Sequence, residues 1–321
     1  MHSHLILRPT WWLALVALAV LQSATASEPI SILTTAAEAP TLDGDPTDAC
    51  WQSVEALPLM MFDPSGKAAE PMVPQATVKV VAHDDAIYAL FEFAEPAPGE
   101  MTIKGELGHE LATEVWLEDH WELFIGEMDS ESRVHLMGDP TNRVVVIKAK
   151  LESMYPEGAA ATRVGTDAWT AEIRIPAQLL DTDLSKEPAF RFNAYRTRRV
   201  EGIQLACWAP VKGRFSDWER FGWLPVGTTQ LTTQWLKNTT IGPDQAREIE
   251  DVRHVFLGLE TSEEFTTRFT AVNRDVDALT SAPESVMPDE WLRLATRAAD
   301  IPERLHRLWE DAKLLEIIHS D

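Results

Sequence analysis

The chain has 321 residues, with 51 acidic against 28 basic side chains, a net charge of −23 and a pI of about 4.7. That balance disfavours nucleic acid and anionic membrane surfaces as partners, because phosphate binding needs a basic footprint, and it leaves neutral poly- or oligosaccharide open. Cys50 and Cys207 each stand directly before a tryptophan; in an oxidising compartment they are candidates for a disulfide, and otherwise for two buried thiols.

Residues 1–26 read as a secretory signal peptide. Arg8 and two histidines precede the apolar run Trp11–Leu21, and Ala24-Thr25-Ala26 forms a cleavage site. The apolar run is short for a bilayer span. The expectation is therefore an exported protein, periplasmic or extracellular, that does not span a membrane after cleavage. An uncleaved anchor is the alternative.

Residues 28–227 are β-rich. Val78–Val81 and Ile87–Phe93 flank the acidic turn His83-Asp84-Asp85, with Ile87, Ala89, Phe91 and Phe93 on one face. Strands are also predicted over Trp121–Ile125, Arg133–Met137, Arg143–Ala149, Trp169–Ile175, Phe190–Arg196 and Gln204–Ala209, with a short helical turn at Pro176–Leu180. Many short strands with turn signals predict an antiparallel β-sandwich. Residues 228–242 are Thr-rich and read as a linker. From 243 to 321 the spacing turns helical, over Pro243–Leu259 and Trp291–Ile318, the latter split by Pro302. The predicted fold is thus mainly β, a sandwich followed by a C-terminal α-helical extension that is a candidate for docking a protein partner.

The most informative stretch is Val115–Glu127 (VWLEDHWELFIGE). Trp121 shares strand parity with Leu123 and Ile125 and belongs to the core, whereas Glu122 shares the opposite face with Phe124. Trp116 precedes the strand. An aromatic ring beside a carboxylate suits a sugar, whose C–H face stacks and whose hydroxyls donate. No G-x-S-x-G, H-E-x-x-H or C-x-x-C motif occurs, and the expectation is recognition without catalysis. Asp84, Asp119, Glu122 and Glu172 are the carboxylates that a hydrolytic alternative would use.

Six ordered blocks resemble family 9 carbohydrate-binding modules: TLDGDPTDACW from Thr41, the hairpin at Asp84-Asp85, VWLEDHWELFI, TAEIRIPAQLL, FRFNAYR, and the closing CWAPVKGRFSDWERFGWLPV. They cover roughly residues 40–226. The resemblance implies an immunoglobulin-like (DOMON-like) sandwich that holds a sugar chain end between two aromatic rings, with structural calcium nearby. It places Trp116 and Phe215 as the two rings, Glu122 and Arg133 as polar contacts, and Asn193 and Tyr195 on the strand presenting polar groups to the site. The sequence departs from the family in having phenylalanine at the second ring position and Tyr195 where the sugar-binding members carry glutamine.

Other readings remain open at this level. Glu122 and Arg133 could form a plain ion pair. Asp119 could cap a turn or bind calcium. Arg196, Arg198 and Arg199 form a basic cluster able to neutralise local carboxylates or draw an anionic sugar, and Trp218 is a candidate rim aromatic. A sandwich serving only as an envelope scaffold is one alternative. A haem-binding electron-transfer domain, with ligands from Met72, His83, His135 and Met137, is another.

Overall fold

The structure is a computed structural model and describes residues 29–66, 70–104, 111–127, 133–186, 188–227, 231–259 and 261–319. The signal peptide expected over 1–26 lies outside the described residues. The chain opens with α1 (Ala49–Gln52), β1 (Leu57–Pro58), β2 (Met60–Met61), β3 (Ala76–His83) and β4 (Ala86–Ala94). Next come α2 (Leu111–Trp116), β5 (His120–Gly126), β6 (Val134–Gly138), β7 (Val144–Lys148), β8 (Leu151–Met154) and β9 (Ala160–Val164). The sandwich closes with β10 (Ala168–Pro176), β11 (Ala189–Arg198), β12 (Gln204–Cys207) and β13 (Gly222–Pro225). Thereafter the chain forms β14 (Leu231–Thr232), α3 (Gln234–Thr240), α4 (Pro243–Gly258), α5 (Glu263–Thr280), β15 (Ser285–Val286), α6 (Pro288–Ala298) and α7 (Ile301–His319).

Two antiparallel sheets face each other. The smaller runs β1-β3-β4-β10-β9; the larger runs β2-β12-β11-β5-β6-β7-β8, with β13 pairing the first half of β11. Period-two alternation sends Phe91, Phe93, Trp169, Ala171 and Ile173 from the smaller sheet, and Trp121, Leu123, Ile125, Phe190 and Phe192 from the larger, into one continuous core. Trp121 stacks on Phe91 with centroids 4.9 Å apart. The same alternation turns His120, Glu122 and Phe124 outward on the larger sheet.

The predicted linker is structured where it is described. Leu231–Thr232 pairs with Ser285–Val286, and Trp235 and Leu236 are buried in a cluster with Leu279, Trp291 and Ala295. Trp223 and Ala189 of the sandwich join that cluster, so the helices dock directly on β11 and β13. Threonine-rich composition concealed these two large apolar residues. Helices α4, α6 and α7 fall where helical spacing was read, with the break ahead of Pro302; α5, β8 and β9 are additional. The last two strands were obscured because β8 is exposed, β9 is only partly buried, and neither has apolar alternation.

Candidate functional site

On the outer face of the larger sheet an open groove of about 910 Å³ crosses β5, β6 and β11. Its floor is a charged cluster on neighbouring strands. Glu122 is 4% exposed. Its Oε1 accepts from Nε2 of His120 at 3.2 Å, and its Oε2 accepts from Nε2 of His135 at 2.8 Å and from Nε1 of Trp116 at 3.4 Å. His120 lies two residues along the same strand, and His135 stands diagonally across on β6, in register with Phe124. The other nitrogen of His120, Nδ1, faces the Glu118 carbonyl at 2.8 Å. Each ring nitrogen of His120 thus faces an oxygen. Burial alone would raise the Glu122 pKa; hydrogen bonds from His120 and His135, together with their charge, outweigh it and hold the carboxyl at about 2.

The walls are aromatic. Trp116, at the end of α2, is 43% exposed. Its backbone carbonyl accepts from Nη2 of Arg199 at 2.6 Å, which fixes the ring above Glu122. Phe215 is half-buried and lines the same groove. Its ring stacks on Tyr195 at 4.2 Å and meets Phe62 edge-on at 5.2 Å. His135 lies flat on Phe124 at 3.8 Å. Arg133 also lines the groove, with its guanidinium 5.7 Å from the Trp218 ring, and makes no ion pair with Glu122, whose place beside that carboxylate is taken by the two histidines.

Of the six residues expected at the site, the structure brings Trp116, Glu122, Arg133 and Phe215 to one groove and sets Asn193 and Tyr195 beneath it. Asn193 is fully buried: its Oδ1 accepts from the Ala209 amide and its Nδ2 donates to the Ala209 carbonyl. The Tyr195 hydroxyl donates to the Phe215 carbonyl at 2.6 Å, and burial drives its pKa well above the usual value. Both residues shape the Phe215 loop rather than meet solvent. Trp218, a candidate rim aromatic, is 9% exposed and packs on Phe221. Sequence reasoning missed His120 and His135 as partners of Glu122, and Lys150 on the rim. The i, i+2 spacing of His120 and Glu122 was legible, but the register of β6 was not.

Other motifs serve the fold. Glu172, on the outer face of the smaller sheet, accepts from Trp51 Nε1 and the Gly44 amide, each at 2.8 Å. Gly44 has φ +78, and a Cβ there would come within 2.9 Å of the Arg163 nitrogen, so the LDGD turn admits only glycine. Asp119 accepts from the Thr102 and Arg199 amides and from Arg196. Its oxygens are thereby engaged by donors. Among the described residues no group of three or more His, Cys, Asp or Glu side chains is arranged to hold a metal.

Arg196 and Arg198 point into the protein. Arg196 lies between Phe93 and Trp169, 4.7 and 4.8 Å from their centroids, paired with Asp119 and Glu95. Of the two readings open for the cysteines, the structure has free thiols. Cys50 packs with Trp51 outside the smaller sheet and Cys207 lies beside Tyr195 outside the larger, so the sandwich separates them. The haem ligand set is dispersed: Met72 is in the central core, Met137 is buried with Val115 and Val145, and His83 hydrogen-bonds the Ala36 carbonyl.

No family model matches the chain, and no curated protein matches it in sequence. Among solved structures it is similar to a family 9 carbohydrate-binding module from Caldicellulosiruptor kristjanssonii in complex with cellotriose, at 15% identity and a TM-score of 0.44, covering 62% of this chain and 93% of that one. The glucose complex of a family 9 module from the same organism gives 16% identity and a TM-score of 0.42, over 62% and 96%. A protein from Bacteroides uniformis gives 14% and 0.45, over 61% and 97%. No described helix is long and apolar enough to cross a membrane.

Proposed function

We propose that the groove binds a saccharide without transforming it, in a protein exported through the leader read at residues 1–26. One observation carries this reading: an exposed tryptophan stands directly over a buried carboxylate that it hydrogen-bonds. The indole and the Phe215 ring offer apolar faces to sugar C–H groups. Glu122, His135 and Thr197 offer acceptors and donors to hydroxyls. A carboxyl held at about 2 is a permanent acceptor and is mismatched to general acid catalysis near neutral pH. Because the groove is open and its ligand small and hydrated, the expected Kd is roughly micromolar to millimolar.

Isothermal titration against a panel of mono- and oligosaccharides tests the reading. Some saccharide should bind the wild type, and Trp116→Ala should weaken it at least about tenfold, roughly 1.4 kcal/mol. Undiminished binding to the Trp116→Ala protein would remove the groove from the account.

A further inference from the structure

The charge of the groove runs against the charge of the protein. In a chain of net charge −23, Glu122 is the sole carboxylate among the described residues that line it, against Arg133, Lys150 and Arg199. The Glu122 carboxylate is already engaged by His120 and His135. Neither Arg133 nor Lys150 makes an ion pair with any described residue, and the Arg199 guanidinium donates to the main-chain carbonyls of Glu118 and Trp116. Several other basic side chains of the sandwich are matched to acids, as Lys79 is to Glu92, Lys148 to Asp181, Arg163 to Asp45 and Arg174 to Asp85. Among the described residues, the three groove cations have no carboxylate partner and are available to a counter-charge from outside.

The backbone supports the same conclusion. Lys148 pairs with Leu151, so Ala149 and Lys150 form the two-residue tip between β7 and β8. Both take left-handed conformations, φ +51 and +66. Glycine or asparagine suits such a turn better; this chain places lysine there, at the groove rim.

We propose that the ligand of this groove is an acidic saccharide bearing ring carboxylates, a uronate chain, with Arg133, Lys150 and Arg199 receiving its acid groups while Trp116 and Phe215 take its rings. The inference rests on the saccharide-binding reading and adds the chemical class. A guanidinium fork matches a planar carboxylate, and local positive charge overcomes the repulsion that the protein as a whole exerts on an anion.

The test is isothermal titration of the full chain with trigalacturonate and with its methyl ester, which keeps the ring shape and removes the charge. The acid should bind at least about tenfold more tightly at low salt, one charge-assisted contact being enough for that factor. The preference should shrink about threefold or more in Lys150→Gln and in Arg133→Gln, and in roughly 0.5 M salt. Equal or tighter binding of the ester overturns the proposal, as does a preference untouched by both substitutions. Tighter binding of a sulfated neutral oligosaccharide than of trigalacturonate overturns the carboxylate assignment. If neutral saccharides bind in a Trp116-dependent way and the acid binds no better, only the charge inference falls. If no saccharide binds, the reading beneath it falls too.

Discussion

Replacing Glu122 with glutamine isolates the charged floor of the groove. In the folded protein the carboxyl sits at about 2, against an ordinary value of 4.5. At about 1.4 kcal/mol per unit, that depression corresponds to about 3 kcal/mol of folding stability. The sign follows from the direction of the shift. A depressed carboxyl stabilises the fold fully above about pH 4.5 and loses that contribution as the pH falls through about 2. Glutamine does not titrate. The stability of wild type minus that of Glu122→Gln should therefore shrink by about 3 kcal/mol between about pH 5 and pH 2. Urea unfolding of both proteins across that range, followed by tryptophan emission, measures it. A difference that stays constant or grows on acidification would refute the claim that the histidines hold Glu122 ionised.

One further substitution and one labelling measurement probe the frame. Arg196→Ala leaves Asp119 buried without its cation, while Glu95 keeps Arg198, and removes the filling between Phe93 and Trp169. It should cost about 3–5 kcal/mol in urea unfolding, and a loss under about 1 kcal/mol would mean that water reaches the pair. Alkylation under denaturing, non-reducing conditions should add two adducts, one each at Cys50 and Cys207; an unmodified intact mass would show a bridge.

Strand parity was enough to divide Trp121 from Glu122, because a period of two assigns alternate residues to core and surface whatever the neighbours do. The sandwich was legible for that reason, and so were the helices beginning at Pro243 and ending after Pro302. The site was legible only in part. Trp116 and Glu122 sit close in sequence, so their contact needed only the direction of one strand. His135 reaches Glu122 through the register of β6 on β5, which turn composition does not fix. Asn193 and Tyr195 lie on an outer face by parity, yet the loop carrying Phe215 folds over them; a long-range covering of this kind leaves no periodic signal. Likewise, Arg196 on the core side of β11 violates the apolar pattern and is tolerated only because Asp119 and Glu95 meet it there.

Hydroxyl-radical footprinting read by mass spectrometry tests the central claim most directly. With a saturating saccharide, modification of Trp116 and Phe215 should fall together, while Leu257 and Leu314, exposed on the helices, should be unchanged. Undiminished labelling of Trp116 and Phe215 under saturating ligand would contradict the assignment of this groove as the binding site.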